Sequence, residues 1–247
     1  MSFLICDGYK RYANLTLKQS FSQDFVTALF YRQIRNWLLC GCCLLSGLVL
    51  SDLSDTMLSD EFLKTAAARY DEEAHERFLA WRDLILAGKN QNDRERIHRA
   101  NQFINRYVDY STDARHWRKD DYWATPIESL GSGYGDCEDY AIAKYFTLRA
   151  MGVADEKLRL MYVRAVKVNE PHMVLIYFEN PEDMPYVLDN LDIEIKSASR
   201  RSDLRPIYSF NASGLWMAKA NGLGRKVNDG KGITAWTAVL DKIEQGQ

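Results

Sequence analysis

Gly131-Ser132-Gly133-Tyr134-Gly135-Asp136-Cys137 lies near the middle of the 247-residue chain and separates two kinds of sequence pattern. Before this segment, apolar residues recur at helical spacing; beyond residue 157 they alternate with polar residues, as in strands. The three glycines predict a loop over 131–135. The apolar pattern that follows predicts a helix from about Asp136 to Met151, ended by Gly152. Cys137 therefore stands at the predicted start of a helix.

A cysteine at a helix N-terminus is suited to nucleophilic catalysis. The first backbone N–H groups of a helix have no partner within it, so they stabilise a thiolate and can hold the oxyanion of a tetrahedral intermediate. The alternative is that Cys137 is a small buried hydrophobe, the usual state of an isolated cysteine. Its acidic neighbours Asp136, Glu138 and Asp139 do not suit a dry environment and favour the functional interpretation.

Two residues downstream can complete a catalytic site. His172 opens a predicted strand and Asp189 ends the next one, with a turn near Asn180 between them. A hairpin would bring both to the same end of two paired strands, where a carboxylate can hold an imidazole in one tautomer. This spacing suggests Cys137, His172 and Asp189 as a catalytic triad. The alternatives are a surface histidine and a turn aspartate, with His116 as a rival base.

Helical patterns come first in the chain and strand patterns later. Ser59 is a candidate N-cap for one helix ending at Gly88, and Asp93 for a second helix. Strands are predicted over 158–166, 172–178 and from 186 to 188, with Glu170 and Pro171 as a break, and also near 207–210 and 215–217. A last helix is predicted over 233–243. This order of elements predicts an α+β fold.

The N-terminal region differs from the rest of the chain. Residues 36–51 carry no charge, and Arg32 and Arg35 precede them. This run is shorter than the roughly 20 residues of a spanning helix and fits the apolar part of an export signal. A buried core helix, an uncleaved anchor and a lipid-attachment site are the alternatives. We predict an export signal or membrane anchor with an N-terminal extension at 1–51, and one exported catalytic domain at 52–247.

Cysteine usage and charge exclude other classes of protein. Four of the five cysteines lie within the first 43 residues, so a chain cleaved near Ser51 keeps only Cys137 and forms no intrachain disulfide. No Cys or His pair follows at zinc spacing, which argues against Cys137 as a ligand of a structural zinc. The formal net charge of −2 shows no excess of basic residues of the kind that binds nucleic acid, so no nucleic-acid partner is expected.

Two motifs indicate a family. Gly135-Asp136-Cys137-Glu138-Asp139-Tyr140-Ala141, with Trp123-x-Thr125-Pro126-x-Glu128 upstream, resembles the bacterial transglutaminase-like cysteine proteinases. The resemblance runs from about Asp60 to near the C-terminus. It implies a papain-like α+β core in which N-terminal helices and the nucleophile-bearing helix pack against an antiparallel sheet. It also implies that Cys137 is the nucleophile, His172 the general base and acid, and Asp189 the orienting residue.

The acidic residues around the cysteine predict a bound cation. Carboxylates beside a thiolate raise its pKa and oppose the helix effect, and a cation would offset them. Asp136, Glu138 and Asp139 offer the hard oxygen ligands that calcium prefers, and the resemblance implies calcium dependence as well. The alternative is that Asp136 caps the helix and Asp139 completes its first turn.

The family resemblance also implies a biological role. It implies a periplasmic endopeptidase that cuts the N-terminal region of a large secreted adhesin, at a small-residue site next to a di-alanine, and so controls biofilm release. The implied inhibitor is the periplasmic domain of an inner-membrane cyclic-di-GMP receptor that sequesters the protease. The alternative functions are a transglutaminase or amidase with the same Cys-His-Asp triad, and a non-catalytic binding module.

Overall fold

The computed structural model of the protein describes residues 57–218, 224–228 and 233–247. The predicted export signal or anchor at 1–51 lies outside these residues and stays a prediction. Within the described ranges, no helix has both the length and the apolar character needed to cross a membrane.

Helices dominate the described chain from residue 57 to residue 150. In order, the elements are α1 (Asp60–Ala67), α2 (Ala74–Gly88), α3 (Asp93–Tyr107), β1 (Asp109–Tyr110), α4 (Asp113–His116), α5 (Pro126–Ser132), β2 (Tyr134–Gly135) and α6 (Cys137–Ala150). The short strands β1 and β2 pair in parallel. This pairing joins the end of α3 to the start of α6.

Strands follow, and a helix closes the chain. They are β3 (Leu158–Ala165), β4 (Glu170–Tyr177), β5 (Tyr186–Leu188), β6 (Lys196–Ser197), β7 (Leu204–Asn211), β8 (Gly214–Met217) and β9 (Lys226–Asn228), before α7 (Thr234–Glu244). Over the described residues they form a seven-stranded sheet in the order β6-β5-β4-β3-β7-β8-β9. Every neighbouring pair in it is antiparallel. The predicted α+β fold, with helices packed on an antiparallel sheet, is confirmed.

The helix α6 occupies the centre of the fold. It packs against β3 and β4 of the sheet and against α3. The core around it includes Phe78, Ile104, Leu148 and Leu175, all fully buried. Each such side chain contributes on the order of 1.5–3 kcal/mol by leaving water. The N-terminus of α6 is therefore held rigidly at one edge of a packed core.

Two predictions about the first helices were wrong. The single helix predicted from Ser59 to Gly88 is broken between α1 and α2, because the Asp71 carboxylate accepts a hydrogen bond from the Glu73 N–H (3.1 Å) and stabilises a turn instead. The N-cap of α3 is Asn92, which accepts from the Glu95 N–H at 3.0 Å, rather than Asp93.

Two predicted breaks also lie inside regular elements. Gly131 and Ser132 belong to α5, which is stabilised by a capping box at its first turn; the chain leaves the helix at Gly133, whose φ is +75°. Glu170 and Pro171 belong to β4. In the described sheet, β5 pairs with β4 only at residues 175–177. The start of β4, where Pro171 lies, has no described partner strand on that side, so the missing N–H of the proline is tolerated.

Candidate active site

A close approach of two backbone segments fixes the start of α6. The Ser111 N–H donates to the Gly135 carbonyl at 2.9 Å, next to the β1–β2 pairing. A Cβ atom on Gly135 would lie only 2.7 Å from the Cβ of Asp139 and 3.3 Å from a methyl group of Val108. A larger residue cannot occupy this position without displacing the first turn of α6, which explains the glycine two residues before Cys137.

Asp139 anchors the first turn from within. Its side chain is fully buried and accepts hydrogen bonds from the backbone N–H groups of Ala124 (2.7 Å) and Asp136 (3.3 Å). The predicted alternative role for Asp139, completion of the first turn, agrees with these contacts. Asp136 occupies the N-cap position and forms a capping box with Asp139 at this turn, in agreement with the alternative role predicted for it. One of its carboxylate oxygens, Oδ1, is buried and has no hydrogen-bond partner among the described residues.

The thiol of Cys137 lies in an acidic environment. It is a free, partly buried cysteine whose Sγ donates a hydrogen bond to Glu138 Oε2 at 2.6 Å. Burial, followed by the charges of Glu138 and Asp136, raises the pKa of this thiol, and a backbone hydrogen bond from Met173 offsets only part of that rise. The N–H groups at the helix N-terminus act in the opposite direction and favour a lower pKa.

His172 and Asp189 are in direct contact. His172 Nε2 lies 2.8 Å from Asp189 Oδ1, and both side chains are buried. β4 carries His172, and Asp189 directly follows β5, its antiparallel neighbour. Because the carboxylate contacts Nε2, the other ring nitrogen, Nδ1, is left to exchange a proton with a thiol.

Asp189 is held as an anion. Burial by itself would raise the pKa of its carboxyl group, but the hydrogen bonds and charges of His172 and Arg201 lower this pKa to about 2. An ionised carboxylate at this position favours the protonated form of the histidine it contacts.

The three predicted catalytic residues converge on one region of the fold. α6 packs against β4, and the Cys137 thiol contacts the backbone of Met173, the residue after His172. The rival base His116 ends α4, and its ring packs against Trp117 (ring centroids 4.4 Å apart) and Tyr134 (5.3 Å). These packing contacts give His116 an aromatic environment and no contact with Asp189.

An acidic cluster lies beside the thiol. Asp113, from α4, joins Asp136 and Asp139, and one carboxylate oxygen of each lies within 4.8 Å of the others. Asp136, Glu138 and the Cys137 sulfur form an adjoining group at the same spacing. The predicted metal ligands Asp136, Glu138 and Asp139 are thus close together. Asp113 was missed by the sequence analysis, because the β1–β2 pairing, rather than any local motif, brings it to them.

Negative charge predominates in the cluster, with Lys119 as a nearby cation among the described residues. Burial, together with the neighbouring carboxylates, raises the pKa values of Asp113, Asp136 and Asp139. One oxygen of Asp113 and one of Asp136 are buried, and neither has a hydrogen-bond partner among the described residues. Unpaired buried carboxylate oxygens are hard ligands of the kind that calcium takes, so these residues fit a calcium ion.

An open cleft of about 530 Å³ borders this region. Its acidic wall includes Asp113, Asp136 and Glu138, and its aromatic wall is formed by Trp123, Tyr162 and Tyr208. Trp123 lines the cleft and stacks on Phe210, with 5.8 Å between the ring centroids. The cleft runs beside the residues next to Cys137 and His172, where a polypeptide substrate would have to lie.

Comparisons with known proteins give the same classification. The family description "Bacterial transglutaminase-like cysteine proteinase BTLCP" matches residues 69–211, more than half of the chain. These residues include Cys137, His172 and Asp189. No curated protein sequence matches the chain significantly.

The fold is similar to solved structures of LapG from Legionella pneumophila. An EGTA-treated form is 40% identical, with a TM-score of 0.66, and the match covers 75% of this chain and 97% of that one. A calcium-bound form is 39% identical, with a TM-score of 0.65, and the match covers 75% and 99%. A third LapG structure gives 40% identity and a TM-score of 0.65, over 75% and 97%.

Proposed function

Because this chain belongs to the bacterial transglutaminase-like cysteine proteinases and is a cysteine peptidase, we propose that it is a periplasmic, calcium-dependent endopeptidase. Its proposed substrate is the N-terminal region of a large surface adhesin, and its cleavage releases the biofilm. Cys137, His172 and Asp189 are the proposed catalytic triad. The observation that carries the proposal is the buried contact between His172 and Asp189 (2.8 Å). His172 is followed by Met173, whose backbone contacts the Cys137 thiol.

The proposed mechanism is acyl transfer. The Cys137 thiol gives its proton to His172, and the sulfur attacks the scissile carbonyl carbon. Backbone N–H groups at the start of α6 stabilise the resulting oxyanion. The protonated His172 then transfers its proton to the leaving amine as the C–N bond breaks, which leaves a thioester. His172 next takes a proton from water as the water oxygen attacks the thioester carbon. The C–S bond then breaks, the carboxylic acid product leaves, and His172 returns its proton to the sulfur. Throughout, Asp189 holds the imidazole ring in position.

Calcium is proposed at the acidic cluster. The calcium-bound LapG structure supports this assignment, as do the unpaired buried oxygens of Asp113 and Asp136. Asp136, Glu138 and Asp139, with Asp113, would hold the ion. When bound, calcium supplies positive charge that offsets the carboxylates facing the thiol.

The proposal extends to a substrate, an inhibitor and a location. The likeness to LapG and the predicted export signal support a periplasmic enzyme that acts on an adhesin. We extend the proposal to the periplasmic domain of an inner-membrane cyclic-di-GMP receptor, which would bind the protease and inhibit it. The acidic and aromatic cleft beside the thiol is the surface that such an inhibitor would have to cover.

A cleavage assay tests the proposal. Wild-type protein and Cys137→Ala are incubated with the recombinant N-terminal segment of a large adhesin from the same organism, with calcium or with excess chelator. We expect one new N-terminus with the wild type in calcium, and no cleavage by Cys137→Ala or in chelator. Full cleavage in excess chelator would reject the calcium site. Incorporation of a labelled amine in place of hydrolysis would identify a transglutaminase.

A further inference from the structure

Arg201 lies behind the proposed triad and contacts Asp189 directly. It follows the short 3₁₀ turn Ala198–Arg200 that connects β6 to β7. Its side chain is 3% exposed, and its Nη2 donates to Asp189 Oδ2 at 2.6 Å. The backbone on both sides of Arg201 is held by turn hydrogen bonds with Ala198 and Leu204, both 3.1 Å long. The guanidinium therefore projects from a fixed point in the chain.

The two carboxylate oxygens of Asp189 have different partners. Oδ1 faces His172 Nε2 at 2.8 Å and also accepts from the Leu191 N–H at 3.1 Å, while Oδ2 receives Arg201. The Asn105 side chain holds the backbone carbonyl of Asp189 at 2.9 Å. With these contacts in place, the carboxylate cannot rotate about its χ2 bond without losing a charged hydrogen bond. The orientation of the Oδ1 lone pairs toward His172 is thereby fixed.

A second carboxylate fixes the arginine in turn. Asp203 accepts from Arg201 Nη2 at 2.8 Å and from its Nε at 3.0 Å. As a group, Arg201, Asp189 and Asp203 carry a formal charge of −1, and a further carboxylate, Asp192, lies 4.0 Å from Arg201 Nε. Protonation of His172 neutralises the group, and a protonated imidazole beside a thiolate is the state that a cysteine protease uses.

Stability alone is a weak explanation for this arrangement. Burying an arginine and a carboxylate costs solvation energy that their attraction often fails to recover, and apolar residues in such places can be more stable. The geometry instead resembles the outer partners of a catalytic group, which orient it through hydrogen bonds.

We propose that Arg201 is a positioning residue: it fixes the carboxylate of Asp189, and through it the imidazole of His172, in the orientation that catalysis requires. This inference rests on the proposed function, because it assumes that His172 acts on Cys137. Arg201 itself contacts neither the cleft lining nor the thiol among the described residues.

The test compares Arg201→Met, Arg201→Lys and a matched control, Arg159→Met. Arg159 is also a buried arginine, but its guanidinium stacks on Trp216 at 3.8 Å and contacts no carboxylate within 4 Å in the described residues. Three quantities are measured with calcium present: kcat and KM for cleavage of the adhesin segment, and the rate constant for alkylation of Cys137 by iodoacetamide. The alkylation rate needs no substrate.

For Arg201→Met we expect kcat to fall by about 10- to 100-fold with KM nearly unchanged, the range seen when an outer partner of a metal-bound catalytic group is lost. Arg201→Lys keeps the positive charge but lacks the planar guanidinium, whose several N–H groups bond two carboxylates at once. Its kcat should therefore fall by a smaller factor, about 3- to 10-fold. The alkylation rate should fall in the same order. Arg159→Met should match the wild type in all three quantities.

A folded Arg201→Met with wild-type kcat and alkylation rate would overturn the inference, as would a raised KM with unchanged kcat. If Arg201→Met does not fold, an unchanged kcat in Arg201→Lys overturns it equally. Failure of the proposed function gives a different result. Wild-type protein would then leave the adhesin intact, while the alkylation rate of Cys137 would still be lower in Arg201→Met than in Arg201→Lys, and lower in Arg201→Lys than in the wild type.

Discussion

Replacement of Asp189 by asparagine measures how much its buried charge contributes to the fold. In the native protein, the side chain accepts hydrogen bonds from His172, Arg201 and the Leu191 N–H. Asparagine keeps the size of the side chain but removes the charge. Its NH2 group is a hydrogen-bond donor and would have to face His172 or Arg201, which are donors themselves. The variant should therefore be less stable at neutral pH, by an amount that follows from the pKa of the carboxyl group.

Burial would raise the pKa of Asp189, but its partners lower it from 3.8 to about 2. One pKa unit corresponds to about 1.4 kcal/mol, so the ionised group contributes about 2 kcal/mol to the free energy of unfolding. The folded-state pKa is below the unfolded one, so this contribution is complete above about pH 4 and is lost as the pH falls toward about 2. The partners that lower the pKa are His172, Arg201 and the Leu191 N–H. Lys144 and Asp203 are further charged groups that interact with Asp189.

Urea unfolding followed by tryptophan fluorescence provides the assay. Asp189→Asn should lower the free energy of unfolding by about 2 kcal/mol at neutral pH, and the difference should shrink to about half near pH 3. Asp83→Asn is the control, because that side chain is 72% exposed and should change stability by less than about 0.5 kcal/mol. Equal stability of wild type and Asp189→Asn at neutral pH, or a difference that does not change with pH, would refute the reasoning.

Two further predictions concern the acidic cluster and the C-terminal helix. Asp113→Asn should weaken calcium binding by about tenfold or more, since the affinity of calcium sites follows the number and charge of their oxygen ligands. Calorimetry checks this against Asp120→Asn, which changes a cleft residue outside the cluster; equal affinities would exclude Asp113 as a ligand. Lys242→Met removes the cation that bonds Tyr122 (2.8 Å) and Glu128 (3.0 Å) and should cost about 1–3 kcal/mol of stability. Urea unfolding measures that loss, and an unchanged midpoint would show that α7 does not depend on the contact.

Short-range signals gave correct predictions for the elements that carry the proposed triad. The start of α6 at Cys137, the alternation that forms β3 and β4, and the turn before β5 are all encoded within a few residues of where they occur. The errors in element boundaries have different causes, and one of them shows how a side chain can override a pattern. The break between α1 and α2 arises because Asp71 bonds the backbone of Glu73 and the side chain of Arg77, which overrides a continuous apolar stripe.

The order of residues along the chain was enough to place a cysteine at a helix start and to pair a histidine with an aspartate across a hairpin, because both arrangements depend on local backbone periodicity. It gave no indication of Asp113 or Arg201. Asp113 reaches the acidic cluster only because β1 pairs with β2, and Arg201 reaches Asp189 only because the chain turns back between β6 and β7. Contacts of this kind depend on the packing of elements distant in sequence, and no local pattern encodes them.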